Sequence, residues 1–141
     1  MSQDTKLLIK LTHKDAKLPT RAYLTDSGYD LYACEDITLT AGFPTIVHTG
    51  VEMAFPKGYY GEIHTRSSQG FQGIRNHLGI VDEEYRGEIS PIMIAPRNIV
   101  IKKGMKVAQL IIKKRYDIPI EQVTELPEST RGKKGFGSSG I

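Results

Sequence analysis

The feature that most constrains this 141-residue chain is its rhythm: short apolar runs with a two-residue period, cut apart by glycine and proline, and no sustained helical repeat. The runs span residues 6–11, 29–34, 37–39, 45–55, 59–65, 88–95, 99–102 and 107–116. Within 45–55, Val47, Val51, Met53 and Phe55 fall on one side, and His48, Glu52 and Ala54 on the other, the pattern of a half-buried strand. Residues 108–112 are apolar on both faces, which predicts a strand covered from both sides. Thr-Ala-Gly at 40–42, Pro-Lys-Gly at 56–58 and Lys-Lys-Gly at 102–104 supply turn chemistry between runs. The expectation is one all-β domain over residues 1–116, of sandwich, jelly-roll or barrel type.

The composition changes after residue 117. Residues 129–141 hold four glycines and three serines, too little apolar material for a core, and predict a flexible C-terminal arm over 117–141. Cys34 is the single cysteine, so a disulfide scaffold is excluded. No stretch approaches the ~20 apolar residues of a membrane helix, and the first ten residues lack the apolar segment of a secretory signal. A cytoplasmic setting, or the equivalent host compartment for a viral chain, is expected, with no membrane partner. The net charge of +3 is too small to argue for nucleic acid. Residues 102–115 nevertheless carry six basic residues and no acid, which suits a small anionic ligand.

Five polar segments flanked by glycine carry the candidate chemistry. Asp26-Ser-Gly-Tyr-Asp30 delivers a carboxylate onto the start of a strand. Arg66-Ser67-Ser68 offers a guanidinium and two hydroxyls of the kind phosphate requires. In Gly79-Ile-Val81-Asp82-Glu-Glu-Tyr85-Arg-Gly87, Asp82 is a candidate general base, since a carboxylate beside a water can take its proton during attack on phosphorus. Gln109 is one amide in an otherwise apolar strand. The tail combines Arg131, whose fork fits phosphate, with Phe136 as a flat face for a base, among glycines that admit an oxyanion to the backbone. Taken singly, each has an ordinary alternative: a turn, an acidic hairpin tip, a structural amide, a solvated tail. His13, His48, His64 and His77 have no spacing suited to zinc, and Cys34 reads as a buried small hydrophobe.

In this order the five segments resemble the five motifs of the homotrimeric dUTPases, over about residues 25–140. The resemblance implies a small β jelly roll, three subunits sharing three sites, and Mg²⁺-dependent hydrolysis of dUTP to dUMP and pyrophosphate. Such an activity limits uracil incorporation into DNA and supplies dUMP for thymidylate synthesis. By residue, it implies Asp82 as the base for the attacking water and Tyr85 against the deoxyribose, excluding a 2′-hydroxyl. Asn76 and hairpin backbone groups at Gly79 and Val81 would read the uracil. Arg66, Ser67, Ser68 and Gln109 would hold phosphates, and Asp30 would hold Mg²⁺ through water. Arg131, Gly137, Ser138 and Ser139 would clasp the γ-phosphate while Phe136 stacks on the base.

The chain departs from the family pattern at Thr65, where a proline is common, at Gln69-Gly70, where a small apolar pair is usual, and after the hairpin, where residues 90–96 lack an asparagine. A related dCTP deaminase is disfavoured because Ile92 stands where its glutamate would. A catalytically silent or moonlighting nucleotide-sensing trimer that binds a protein partner is the alternative of another class.

Overall fold

The computed structural model describes residues 5–77, 79–137 and 140, so the expectations placed on Ser138 and Ser139 lie outside the described residues. In chain order the strands are β1 (Leu8–Leu11), β2 (Gly28–Tyr32), β3 (Ile37–Leu39), β4 (Thr45–Ile46), β5 (Val51–Ala54) and β6 (Tyr59–His64). A five-residue helix, α1 (Ser67–Phe71), precedes β7 (Arg75–Asn76), β8 (Gly79–Val81), β9 (Ile92–Ile94), β10 (Ile99–Ile101) and β11 (Lys106–Lys114). All pairings are antiparallel: a four-stranded sheet β2-β11-β6-β8, a three-stranded sheet β4-β9-β7, and the pairs β1-β5 and β10-β3. The all-β expectation is met.

The inner face of the four-stranded sheet and the β1-β5 pair enclose one core of Leu31, Met53, Phe55, Ile63, Val81 and Leu110, among others. A second core gathers Leu39, Val47, Ile74, Met93, Ile101 and Val107. The strand β11 feeds both. Its register against β2 shifts between Lys106 and Ala108, and this bulge buries the consecutive residues Val107 and Ala108 in different cores.

Two expectations are corrected. The run 45–55 is two strands rather than one, because the chain changes partner at Gly50: β4 pairs β9, while β5 pairs β1. Gly50 has φ +67°, and a Cβ there would meet His13 and Ala16 at 2.7 and 2.9 Å, so this crossing admits only glycine. The strand β11 is also not covered on both sides within the chain. The pleat turns Gln109, Ile111 and Lys113 outward together with Asp30 of β2, Glu62 and His64 of β6 and Ile80 of β8. Beyond β11 every described residue to Gly137 is exposed, including Tyr116, Ile118, Ile120, Leu126 and Phe136.

Candidate functional site

The first cluster lies on the outer face of the four-stranded sheet. Register places Asp30 opposite Gln109, and Gln109 opposite His64, in one row across β2, β11 and β6. Asp30 is buried, with Arg66 Nε 3.1 Å from Oδ1 and Lys106 Nζ 3.4 Å from Oδ2. Arg66 therefore leaves the end of β6 and reaches back across β11, and its Nη1 also donates to Ser68 Oγ at 3.3 Å. A Cβ at Gly28 would stand 3.1 Å from Gln109 Oε1, so the glycine of the first motif opens the space in which that amide lies. Asp30, Arg66, Ser68 and Gln109 are thus brought together, and Ser67 is exposed beside them at the start of α1.

Two residues that depart from the family pattern hold this cluster. The Thr65 hydroxyl accepts the Asn76 N–H at 2.8 Å, so the turn that a proline would stiffen is cross-linked to β7 instead. Gln69 is buried; its Oε1 accepts the Arg66 N–H at 3.3 Å and its Nε2 donates to the Lys106 carbonyl at 3.1 Å. Sequence reading passed over Lys106, because the bulge there changes the face its spacing predicts, and it noted Gln69 only as a departure from the family pattern.

The second cluster is the connection after β8. Tyr85 N–H donates to the Asp82 carbonyl, closing a turn that leaves Asp82 exposed. A cavity of about 220 Å³ is lined by Gly79, Val81, Asp82 and Tyr85 on one side and Ile63 and Ser90 on others. The Tyr85 ring folds back over Gly87, and its hydroxyl donates to the Glu88 carbonyl at 3.1 Å. A wider recess of about 780 Å³, bordered by Tyr60, Ile80 and Tyr116, lies next to it, and Asp82 lines both. Asn76 does not line the smaller cavity: its Nδ2 donates to the Val107 carbonyl at 3.1 Å, and its buried Oδ1 has no partner.

Two carboxylates anchor this segment. Glu83 Oε1 accepts the Gly58 N–H at 2.7 Å and Arg115 Nη1 at 2.6 Å, and these bonds, the backbone one first, hold its carboxyl below the usual range. Burial alone would raise the Glu88 carboxyl, but hydrogen bonds from His48, Ser90 and the Gly50 N–H keep it below its ordinary value. The same bond to Glu88 raises the His48 imidazole above its ordinary value. Both anchors were invisible in sequence, since Arg115 and His48 lie 32 and 40 residues from their partners.

The arm is separate from both clusters. Arg131 Nε donates to the Lys134 carbonyl at 2.7 Å, Phe136 is fully exposed, and Gly137 has φ +78°. Among the described residues no group of three or more His, Cys, Asp or Glu side chains converges as a metal site. No helix among them is long and apolar enough to cross a membrane.

The sequence model of the dUTPase family matches residues 14–140. The deoxyuridine 5′-triphosphate nucleotidohydrolase of Clostridium novyi is 38% identical over 141 residues, covering 96% of this chain and 99% of its own. That of Saccharomyces cerevisiae is 41% identical over 143 residues, covering 99% and 97%. Among solved structures, a mutant of the Staphylococcus bacteriophage 80alpha dUTPase with dUpNHpp superposes with a TM-score of 0.89 at 28% identity, over 96% of this chain and 99% of that one.

Proposed function

The chain belongs to the dUTPase family, and from that membership we propose that it hydrolyses dUTP to dUMP and pyrophosphate at sites shared between copies in a homotrimer. One observation carries the shared-site reading. Asp82 continues β8 beside Tyr60, at the beginning of β6, whereas Arg66 and Ser67 leave β6 at its other end. Six residue steps, from Tyr60 to Arg66, separate the two points, roughly 20 Å at the usual rise. A general base works at hydrogen-bond distance, about 3 Å, from the water it activates. The base and the phosphate-holding residues therefore meet over one α-phosphorus only if they come from different copies. The outward Ile80 and Ile111, and the uncovered Tyr116, Ile118 and Ile120 at alternate positions of the extension, give such copies apolar surface to bury.

In this reading Asp82 deprotonates the water that attacks the α-phosphorus. The cavity beside it takes the nucleoside: backbone groups at Gly79 and Val81 read the uracil, and the Tyr85 ring leaves no room for a 2′-hydroxyl. The unpartnered Asn76 Oδ1 is the acceptor available to the base once that side chain opens. Arg66, Ser67, Ser68 and Gln109 hold the triphosphate of the neighbouring site. Arg131, Gly137, Ser138 and Ser139 close over the γ-phosphate, with Phe136 on the uracil face, excluding bulk water.

Mg²⁺ fits this donor set in one way. Asp30 is a single carboxylate already paired with Arg66 and Lys106, which does not build a protein cage but suits an ion carried by the triphosphate and met through water. Bound there, Mg²⁺ would neutralise charge on the phosphate oxygens.

The test is pyrophosphate release with dUTP, UTP, dTTP and dCTP, with Asp82→Asn as the control. Turnover confined to dUTP and abolished by the substitution is the expected result. A folded protein that binds dUpNHpp without turning over dUTP would overturn the hydrolase reading in favour of a nucleotide-sensing protein.

A further inference from the structure

On the shared-site reading above, we infer that His64 is a further substrate-positioning residue, whose imidazolium donates a hydrogen bond from Nδ1 to the dUTP triphosphate. His64 closes the row that begins with Asp30 and Gln109, and on a pleated sheet directly opposed side chains stand about 5 Å apart. It precedes Arg66 by two residues, so the proposed phosphate ligands flank it both across the sheet and along the chain. The arrangement leaves a ring nitrogen for the substrate. Nε2 lies 2.9 Å from Glu62 Oε1, and Glu62 is in turn held by Tyr60 Oη at 3.1 Å and by Lys113 Nζ at 3.4 Å. These bonds, that of His64 first, keep the Glu62 carboxyl below its ordinary value, so it accepts the Nε2–H as an anion. Among the described residues Nδ1 takes no partner, and the side chain is 39% exposed.

A carboxylate that fixes one imidazole nitrogen and points the other at the reacting group is a recurrent device for orienting histidine. Phosphate oxygens only accept hydrogen bonds, so a neutral ring fixed by Glu62 would turn a lone pair toward them, whereas the cation donates. The groups facing the imidazole are mixed. Glu62 is the carboxylate in contact with the ring, Lys113 is bound to that carboxylate, Gln109 stands opposite across the sheet, and the Asp30, Arg66 and Lys106 cluster lies beyond Gln109. An arriving triphosphate carries several negative charges and no donors, so the doubly protonated ring is the form it selects.

The experiment compares the full chain with His64→Ala and His64→Gln in steady-state dUTP hydrolysis from pH 5.5 to 8.5. dUpNHpp binding is measured by calorimetry in two buffers of different ionisation enthalpy. A charge-assisted hydrogen bond is worth roughly a tenfold change in affinity. Both variants are expected to raise KM about tenfold at pH 6, with a smaller effect on kcat. They should also flatten the rise of KM with pH and abolish the proton uptake on dUpNHpp binding. Glu62→Gln should weaken the pH dependence while keeping the histidine. Wild-type turnover with unchanged KM, pH profile and proton uptake in both His64 variants would overturn this inference alone. Absence of dUTP turnover in the folded wild type would overturn it together with the reading it rests on.

Discussion

Gly87→Ala isolates the position of one aromatic ring. Gly87 is not in the left-handed region, so alanine introduces no backbone strain there. An added Cβ would, however, stand 2.5 Å from Tyr85 Cζ and 2.9 Å from Cε1, where ordinary contact needs about 3.5 Å. The ring must withdraw by about 1 Å and release its hydrogen bond to the Glu88 carbonyl. Tyr85 is half exposed and that bond is at the surface, so the fold loses no more than about 1 kcal/mol. Catalysis should suffer more: a misplacement of about 1 Å can cost about 10²-fold, or about 2.7 kcal/mol of transition-state stabilisation. Discrimination of dUTP from UTP should narrow as well, since a steric wall rejects an added hydroxyl by about 10² and this wall will have moved. The assay is kcat/KM for both nucleotides in wild type, Gly87→Ala, Tyr85→Ala and the double variant. If the ring carries the effect, Gly87→Ala costs little more once Tyr85 is already alanine. Unchanged sugar discrimination in Gly87→Ala, or full additivity in the double variant, would refute the reasoning.

Three other outcomes follow from the same geometry. Glu83→Gln weakens the tie to Gly58 and Arg115, and kcat/KM for dUTP is expected to fall about tenfold. Because the folded Glu83 carboxyl lies below its ordinary 4.5, it adds stability above that pH and loses it as pH falls through the folded value; thermal melts below pH 4.5 should therefore separate wild type from variant less than melts at pH 7. His48→Asn tests the other anchor: His48 is held above 6.5 and Glu88 below 4.5, so their bond contributes most between about pH 4.5 and 6.5 and fades as pH rises through the folded histidine value. A melting-temperature difference that stays flat to pH 8.5 would contradict this. Gly61→Ala puts a Cβ 2.6 Å from Phe55 Cζ and 2.9 Å from Leu110 Cδ1, and overpacking of this kind is expected to cost about 1–3 kcal/mol, read as a lower melting temperature with kcat/KM retained.

The strands were legible where a single local cause fixes them. The two-residue period marks β5 and β6, because each buries alternate residues over several positions. The short strands β7 and β8, in different sheets, and the helix α1 were not, since so few residues carry no period and tertiary partners hold them: Thr65 for β7, β6 for β8, and Gln69 against Lys106 for α1. Site residues divide in the same way. Asp30, Arg66, Asp82 and Gln109 could be named because their flanking glycines and neighbours form recognisable segments. Lys106, Glu62 with His64, and Glu83 with Arg115 could not, because their meaning depends on register, on a bulge, or on a partner far along the chain.

The arm follows the same logic at the level of the assembly. From Ile118 on, a segment that becomes rich in glycine and serine over its last thirteen residues leaves Ile118, Ile120 and Leu126 exposed and, among its described residues, buries no apolar side chain within its own chain. Its composition has a purpose only if another surface orders it, and the outer face of the four-stranded sheet needs covering as well. One prediction therefore tests both. Ending the chain after Asp117 removes the rest of the exposed extension while leaving β11, both cores and the Arg115 tie to Glu83 whole, so the truncated protein should keep its strand content by circular dichroism. Because the extension is proposed to lie against other copies, truncation should lower the mass in light scattering and abolish dUTP turnover. A truncated chain that stays trimeric and fully active would show that neither the assembly nor the closure of the site depends on the arm.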